Sequence, residues 1–447
     1  MHARSVSTKN ILFTKMYELA VEETKGQIRQ KCLSCHAPIA VALDDLSLKK
    51  SISKEGVSCD YCHTLKAVKG EGGMTTILSS PGETKYGSYS DSATEAHKVE
   101  FSDLHTKSDF CLKCHGNVIN PAGVEICATE SEYRGSIYEK KNIQCQLCHM
   151  PPIQGKAANN GPEREKIYIH NFAGGYASEF LSQAATLQLK TEETETGKQL
   201  TVTVLNLNGG HYLPTSSGLR MMFLKLFAYD NDGKELWTNW KEDPYKEDSQ
   251  SFFAKILTDD AGNPAFPWKA TKIAYDNRLK VRESRKLTYT LPQDPNITKI
   301  TANLQYKLAS NVLLDKLQID EPTLRNTYTI SRAELALQQA EGGVEAPAIQ
   351  KTTQRSLMRT INVYTESWKF TPKEIRIKQG ERVKLVISTL DDTHGFRVKE
   401  LGISVKVFRN KPAEVEIEGK EKGEYKFDCP VPCGDRCPKM KGVIIVE

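Results

Sequence analysis

Four short cysteine motifs in the first third of the chain constrain its fold more than any other feature. Each reads Cys-x-x-Cys-His, and they span Cys32–His36, Cys59–His63, Cys111–His115 and Cys145–His149. This spacing is the signature of covalent c-type haem attachment, in which two thiols form thioethers with the haem vinyl groups and the adjacent His binds the iron. A zinc framework needs Cys-x-x-Cys pairs but no His after each of them. The motifs therefore predict four covalently bound haem c groups. The predicted attachment residues are Cys32, Cys35, His36, Cys59, Cys62, His63, Cys111, Cys114, His115, Cys145, Cys148 and His149.

The composition suits a chain whose N-terminal part is filled by cofactor. At 447 residues the chain is long enough for two to four domains, and its hydrophobic content of 39 % is on the low side. Covalent porphyrins would compensate, because each is a large apolar group. The formal net charge is +5. Four haems would add about two propionates each, so this charge indicates no nucleic-acid partner.

Cysteine usage predicts where the protein works. Eight of the twelve cysteines lie in the motifs, three crowd into Cys429–Cys437, and Cys127, for which we predict no role, stands alone. Haem c is attached outside the cytoplasm, so we expect an exported protein in the periplasm or outside the cell. No run of residues reaches the length of a transmembrane helix. Residues 1–10 also lack the apolar segment of a signal peptide, so we expect a mature or truncated form.

The spacing of apolar residues predicts a multidomain protein. Residues 1–180 contain the motifs and predict a loop-rich, partly helical tetrahaem domain, with a helix near Asn10–Glu23. Residues 181–340 alternate apolar and polar positions and predict an immunoglobulin-like β-sandwich. Residues 341–358 read as a linker, and 359–447 predict a small β-barrel or sandwich of short strands.

One further helix is predicted at the end of the sandwich region. Ser331–Ala340 combines helix-forming residues with Ser331 as a plausible N-cap. We therefore expect a short helix between the sandwich and the linker.

Histidines outside the motifs are candidates for the sixth iron position. Four of them match the four irons in number, and His2 is spare, whereas the buried, uncommitted state is the alternative for each. The predicted distal ligands are His97, His105, His170 and His211. Methionines 16, 74 and 150 are alternative ligands, but Met beside apolar stretches more often serves packing.

A resemblance to known proteins supports this assignment. HKVEFSDLH, CQLCHMPP, HNFAGG and GGHYLPT are similar to stretches of multihaem cytochromes c, over roughly residues 25–220. The relatives are tetrahaem cytochromes that accept electrons from hydroxylamine oxidoreductase and tetrahaem extracellular cytochromes. In such proteins the His of these segments bind iron from the distal side. The resemblance implies this role for His97, His105, His170 and His211, without pairing each with one haem.

A second group of metal-ligand residue types lies at the C-terminus. It consists of His394, Cys429, Cys433, Cys437 and Met440. Thiolates, an imidazole and a thioether suit copper, whereas three Cys and one His would also suit tetrahedral zinc. Met440 favours copper, because zinc gains little from a thioether.

The last domain resembles the cupredoxin module that holds the dinuclear CuA centre of cytochrome c oxidase subunit II and nitrous oxide reductase. SWKFTPKEIRIKQGERV, THGFRV, GEYKFDCP and MKGVIIV carry this resemblance. It implies a copper-ligand role for His394, Cys429, Cys433 and Met440, but Cys437 stands where the family has His. Val431 replaces a residue whose main-chain oxygen contacts copper, and Trp368 either packs beside the site or in the core. One or two copper ions, zinc, and an empty or disulfide-closed site remain alternatives.

Electron transfer is the function that this combination predicts. We find no catalytic nucleophile, no paired carboxylates in a motif and no phosphate loop, so no catalytic residue is assigned. The expected partner is a redox protein or another copy of the chain, stacked haem to haem into a filament with His2 binding a neighbour's iron. A haem enzyme acting on a small nitrogen or sulfur species at an open iron is one alternative, and a copper-storage or copper-delivery module is another.

Overall fold

A computed structural model describes most of the chain. The described residues are 2, 10–69, 75–78, 82–195, 197–337, 359–366, 369–389, 393–408, 413–431 and 440–447. They divide into two compact units, Met1–Glu341 and Gly342–Glu447. The haem-motif region and the sandwich therefore pack together as one unit, and the boundary expected at residues 180 and 181 stays a prediction. Within the described residues, no helix is both long and apolar enough to cross a membrane.

The haem-motif region is built from short helices and two-stranded sheets. Its helices are α1 (Ile11–Glu23), α2 (Arg29–His36), α3 (Pro38–Ala42), α4 (Cys59–Thr64), α5 (Asp109–His115), α6 (Thr129–Tyr133), α7 (Ile137–Lys140), α8 (Cys145–His149) and α9 (Ser178–Leu181). Its strands are β1 (Leu65–Lys69), β2 (Thr75–Leu78), β3 (Thr84–Gly87), β4 (Lys98–Phe101), β5 (Asn117–Ile119), β6 (Glu125–Ala128), β7 (Pro152–Lys156) and β8 (Glu163–Tyr168), paired two by two. The expected first helix is α1, and the Asn10 side chain caps it by accepting a hydrogen bond from the Phe13 amide.

The sandwich consists of a three-stranded and a six-stranded sheet. The smaller sheet has the order β15–β10–β9, formed by β9 (Ala185–Thr194), β10 (Gly197–Asn206) and β15 (Ser284–Thr290). The larger sheet has the order β14–β13–β11–β16–β17, with β12 added beside β11. Its strands are β11 (Met221–Tyr229), β12 (Glu235–Thr238), β13 (Phe252–Thr258), β14 (Lys272–Asp276), β16 (Lys299–Lys307) and β17 (Tyr328–Ala336). Three short helices complete it: α10 (Pro244–Glu247), α11 (Asn311–Lys316) and α12 (Pro322–Arg325).

The sandwich core confirms the predicted alternation. Leu200, Val202 and Val204 on β10 are fully buried, and so are Leu224 and Leu226 on β11. Side chains that point alternately to the two faces of a strand place every second residue between the sheets.

The prediction of a helix over Ser331–Ala340 is wrong for residues 331–337, the part of this range that the structure describes. Residues 328–336 form strand β17, which pairs antiparallel with β16. Tyr328 lies opposite Tyr306, and Ala336 lies opposite Lys299. Backbone hydrogen bonds to a neighbouring strand outweigh the local preference of Ala, Glu and Leu for a helix, because tertiary context overrides weak propensities.

The C-terminal unit is a two-sheet β-structure, as expected. Its strands are β18 (Arg359–Glu366), β19 (Lys369–Thr371), β20 (Glu374–Ile377), β21 (Arg382–Thr389), β22 (His394–Val398), β23 (Ile403–Val407), β24 (Ala413–Glu418), β25 (Gly423–Asp428) and β26 (Lys441–Val446). One sheet has the order β19–β18–β21–β24 and the other β20–β26–β25–β22–β23. Phe370, Phe396 and Phe427 meet in the core, with ring centres 4.9 to 5.9 Å apart.

Candidate haem and copper sites

Each Cys-x-x-Cys-His motif forms part of a short helix. Helices α2 and α5 end at His36 and His115, whereas α4 and α8 begin at Cys59 and Cys145. On a helix, residues i, i+3 and i+4 lie on one face. The helical turn therefore presents both thiols and the imidazole of a motif to the same side, as attachment of one porphyrin requires.

The four motifs converge on the third. The side chain of Cys35 adjoins that of Cys114, and the side chain of Cys111 adjoins that of Cys145. Cys62 lies close enough to Cys114 for an electrostatic interaction. The motif at Cys111–His115 thus adjoins each of the other three. The first and last motifs begin 113 positions apart in the sequence, at Cys32 and Cys145.

Two motif histidines are oriented for metal binding by backbone carbonyls. Nδ1 of His63 lies 2.7 Å from the Tyr86 oxygen, and Nδ1 of His149 lies 2.6 Å from the Ala173 oxygen. Because a carbonyl only accepts, Nδ1 carries the proton in both rings and Nε2 keeps its lone pair. This is the arrangement by which proteins set the tautomer of a metal-binding His.

Burial favours the neutral form of the imidazoles of His36, His115 and His149. It lowers the pKa of His36 to about 4 and, with nearby charges adding to the effect, that of His115 to about 3. Burial also lowers the pKa of His149 below its usual value. A neutral imidazole is the form that binds a metal ion, so these sites fit haem iron.

Further imidazoles lie near three of the motif histidines. Two imidazoles on opposite faces of one iron have ring centres roughly 6 Å apart, since each metal–nitrogen bond is about 2.0 Å and each nitrogen lies about 1.1 Å from its ring centre. The centres of the His115 and His2 rings are 6.0 Å apart, and those of His149 and His211 are 6.3 Å apart. These two pairs therefore have the separation that a shared iron requires.

His63 has two such neighbours. Its ring centre is 5.8 Å from that of His105 and 6.2 Å from that of His170. Nε2 of His105 lies 3.0 Å from the carbonyl oxygen of Cys62, which belongs to the same motif as His63. His105 is therefore already bonded to the motif backbone.

The other predicted ligands, and the remaining motif histidine His36, have different neighbours. The ring of His36 stacks on Phe13 with 4.1 Å between centres. His97 precedes β4 with its Nδ1 3.1 Å from the Lys98 carbonyl oxygen, and within the described ranges no ring contact joins it to a motif His. Met16 packs against the sandwich core, as expected for a structural residue, and Met74 lies outside the described residues.

The loop that carries His211 is held by a buried ion pair. Glu132 of α6 and Arg278 of the sandwich form a salt bridge in which the side chains are only 2 % and 5 % exposed. Glu132 also accepts hydrogen bonds from the Tyr212 amide, at 3.1 Å, and from the Thr215 hydroxyl. The segment that follows His211 is thereby attached to the haem-motif region.

The same loop is braced from the sandwich side. The side-chain amide of Asn206 donates to the carbonyl of His211 at 3.0 Å and to that of Lys280 at 3.0 Å. The hydroxyl of Tyr138 on α7 donates to the Leu207 carbonyl at 2.8 Å. His211 therefore lies on a loop preorganised by both parts of the first unit.

Sequence reasoning missed Glu132 and Arg278. The two residues are 146 positions apart, and neither lies in a motif. A Glu or Arg at a loosely patterned position reads as a surface residue, because charged residues are mostly exposed. Only the folded structure reveals that they are buried together.

Three residues of the predicted copper site come together at one end of the second unit. His394 begins β22, Cys429 follows β25 and Met440 precedes β26, and all three are buried. Sγ of Cys429 lies 4.0 Å from Nδ1 of His394. An ion with bonds of about 2.0 Å to nitrogen and about 2.3 Å to sulfur can reach both atoms.

The backbone around Cys429 supports a thiolate. The Gly395 amide donates to Sγ at 3.1 Å and this bond favours the thiolate, whereas the Val431 carbonyl oxygen, 3.7 Å away, accepts only from the protonated thiol. Burial raises the pKa of Cys429, but hydrogen bonding with His394 and Gly395 outweighs it and brings that pKa below its usual value. A Cβ at position 395 would lie 2.6 Å from Pro430, so only glycine permits this close approach.

The remaining expected residues of this site lie outside the described residues: Cys433, Cys437 and Trp368. Among the residues that are described, no group of three or more His, Cys, Asp or Glu could hold an ion. The donors that are present, an imidazole, a thiol and the buried thioether of Met440, are those that copper prefers.

Comparisons with known proteins also distinguish an N-terminal cytochrome-like region from a C-terminal cupredoxin-like domain. Residues 344–446 match the family described as a cupredoxin-like domain, and residues 1–64 match the family of cytochrome c554 and c-prime. Over 88 residues the chain is 31 % identical to cytochrome c oxidase subunit 2 of Thermus thermophilus, covering 20 % of this chain and 65 % of the relative. For subunit 2 of a named strain of the same organism the identity is also 31 %, with 52 % of that relative covered. The chain thus spans roughly half to two thirds of these curated relatives.

The first unit is similar to a solved multihaem protein. The crystal structure of a penta-heme cytochrome c552 from Thermochromatium tepidum superposes with a TM-score of 0.63 at 28 % sequence identity. The match covers 75 % of this chain and 94 % of that chain. The chain therefore combines a region similar to multihaem cytochromes c with a cupredoxin-like domain similar to that of oxidase subunit 2, as its motifs predicted.

Proposed function

We propose that this chain is an exported electron carrier that uses four covalent haem c groups and a C-terminal copper site to pass electrons to or from a redox partner. The observation that carries the proposal is the convergence of four attachment motifs around the third, three of them with a second imidazole at iron-sharing distance. Bound haem supplies a one-electron iron couple, whose potential the axial ligands set. The cytochrome-like and cupredoxin-like regions both support electron transfer.

We assign three distal ligands within the first unit. His2 serves the His115 site and His211 serves the His149 site, on the basis of their ring separations. For the His63 site we choose His170 over His105, because His105 bonds the Cys62 carbonyl. The backbone of a motif would lie on the side of the haem that the motif's own His binds, so a second ligand would have to approach from the other side. His2 thus takes a role that the sequence suggested for His97.

The His211 assignment also explains how the sandwich is used. A loop held by Glu132, Asn206 and Tyr138 can keep an imidazole in place during a redox change. Little reorganisation of the ligands favours electron transfer over ligand exchange. The sandwich then acts as a rigid support for one haem site.

In the second unit we propose copper held by His394, Cys429, Cys433, Cys437 and Met440, as one or two ions. Buried soft donors favour copper over zinc, and a third thiolate in place of the expected His lowers the reduction potential by stabilising the oxidised ion. Zinc remains the alternative, and it would remove this site from the electron path. Likeness to oxidase subunit 2 supports an exported location, in the periplasm or outside the cell.

Metal analysis and electron paramagnetic resonance of the purified full chain test the proposal. We expect four irons and one or two coppers per chain, with low-spin signals from at least three irons. Changing His211 to Gly should convert one low-spin haem to high spin, whereas His97→Gly should leave those three signals unchanged. Zinc in place of copper would overturn the copper role. High-spin signals from more than one wild-type iron would overturn the distal assignments, and a high-spin signal from one iron would favour the haem-enzyme alternative at that open iron.

A further inference from the structure

One short segment contacts three of the four haem sites. It runs from His170 to Ala173. The ring of His170 lies 6.2 Å from that of His63, and the carbonyl oxygen of Ala173 lies 2.6 Å from Nδ1 of His149. The Ala173 amide also donates to the His149 carbonyl at 3.2 Å. Four consecutive residues thus connect the sites of the second and fourth motifs.

Phe172, within this segment, connects to the third of these sites, that of His115. Its ring centre is 5.7 Å from that of His170 and 4.4 Å from that of His2, and both contacts are edge-to-face at 88° and 81°. The ring of His2 in turn lies 6.0 Å from that of His115. One phenyl ring therefore contacts two imidazoles that belong to different haem sites.

The backbone at Phe172 has an uncommon conformation. Its φ angle is +48°, in the left-handed region that bulky residues rarely adopt. Such strain persists where surrounding contacts impose it, and it concentrates at functional sites. Here the conformation turns the chain between His170 and Ala173, so that their two contacts and the phenyl ring reach three different sites.

We propose that Phe172 is a positioning residue that fixes the distal imidazoles of His170 and His2 at the same time. This inference rests on the proposed function, since it takes these two histidines as iron ligands. An edge-to-face contact restricts how far each imidazole turns about its iron–nitrogen axis. Because one ring makes both contacts, the ligand geometry of the His63 and His115 sites is linked.

The test compares Phe172 with a phenylalanine that contacts one site. The ring centre of Phe180 lies 5.0 Å from that of His149. In the full-length holoprotein we expect Phe172→Leu to shift two low-spin resonance signals, or to convert up to two of four haems to high spin. Phe180→Leu should alter one signal. Covalent haem content should stay at the wild-type value in both variants, because the thioether bonds are untouched.

Two more variants separate the ring from the backbone. Phe172→Gly accepts the positive φ without strain and removes the ring, so it should fold and still shift two signals. Phe172→Tyr keeps the ring and should restore the wild-type spectrum. Unchanged signals in Phe172→Leu and Phe172→Gly, or a change at one site alone, would overturn the inference.

Variants of the two histidines distinguish failure of this inference from failure of the function on which it rests. His2→Gly and His170→Gly should each convert one haem to high spin. If neither does, the distal assignments fail, and the inference falls with them. If both do and the Phe172 variants match the wild type, the inference alone is wrong.

Discussion

The haem-motif region and the cupredoxin-like unit both prepare metal sites, but they differ in how they are held together. Around the motifs, the buried apolar clusters are small. One consists of Leu33, Ala37 and Ala40, and another of Leu112, Tyr133 and Tyr138. The described part of the cupredoxin-like unit contains a single cluster of 17 buried residues, which includes Cys429 and Met440 themselves. We therefore expect porphyrin to form part of the core of the first region, whereas the second builds its site on a larger core of protein side chains.

This difference shows how each site depends on its cofactor. In the haem-motif region, the proposed attachment residues are local in sequence, and covalent haem would supply apolar surface that the side chains lack. In the cupredoxin-like unit, His394 and Cys429 are 35 residues apart, and the packed sheets bring them together. We therefore expect loss of cofactor to unfold the first region and to leave the second folded.

The largest effect should follow from loss of the central haem. Changing both Cys111 and Cys114 to Ser removes attachment at the motif that adjoins the other three. The destabilisation should be of the order of 5 kcal/mol or more, comparable to the whole stability of a domain. Limited proteolysis should show cleavage within residues 1–180 while the cupredoxin-like unit resists. If the three-haem variant resisted proteolysis as well as the wild type does, the proposed difference between the two regions would be wrong.

The next effect concerns the buried ion pair that supports His211. Glu132→Ala leaves Arg278 buried beside Asp276 alone and should lower the free energy of unfolding by about 3–5 kcal/mol. Glu139→Ala is the matched control, since its pairing with Arg134 is partly exposed and should contribute under about 1 kcal/mol. Denaturant unfolding followed in the haem absorbance measures both. Equal small losses would indicate that the His211 loop is held by other contacts.

Removal of the copper thiolate should have a smaller effect on folding. Cys429→Ser should reduce bound copper to near zero while lowering unfolding free energy by about 1–2 kcal/mol, because the core of the unit remains. Metal analysis and thermal unfolding of the full chain provide the two readings. Haem absorbance serves as the internal control and should not change. Collapse of the C-terminal unit in this variant would show that copper is part of its core after all.

The smallest expected effect concerns a contact between the haem-motif region and the sandwich within the first unit. Glu23 of α1 accepts hydrogen bonds from Trp268 at 2.7 Å and Lys269 at 2.8 Å, which attaches the haem-motif region to the sandwich. Burial alone would raise the pKa of Glu23, but these partners outweigh it and lower the pKa below its usual value. The stabilisation is therefore present above the unfolded-state value near 4.5 and is lost as pH falls through the lower folded-state value.

Glu23→Gln tests this dependence. The variant should be less stable than the wild type by about 0.5–1 kcal/mol at pH 7, since the carboxylate is partly exposed. Denaturant titrations between pH 7 and pH 3 should show this difference shrinking below about pH 4. A constant difference across the range would mean that the charge of Glu23 is not what joins the two parts.

The features that could be predicted from the residues alone are those whose chemistry is local. Two cysteines and a His within five residues form one helical turn, so the prediction of haem attachment at Cys32–His36 and Cys145–His149 needed no knowledge of the fold. The alternation on β10 and the first helix were likewise predictable, because apolar periodicity reports one element at a time. The similarity of the C-terminal segments to cupredoxins predicted His394 and Cys429 as metal ligands, and the fold brings these two side chains within 4.0 Å of each other.

Which distant groups meet depends on the folded chain as a whole. Packing brings His2 to His115, buries Glu132 against Arg278 and makes residues 328–336 a strand rather than the start of a helix. It also makes the Phe172 ring a contact shared by His2 and His170. These pairings depend on how separate elements pack, and packing depends on the summed shape and burial of many residues. A local sequence pattern does not encode how distant residues pack. The contacts of His2 and Glu132 are therefore formed, and become visible, only in the folded chain.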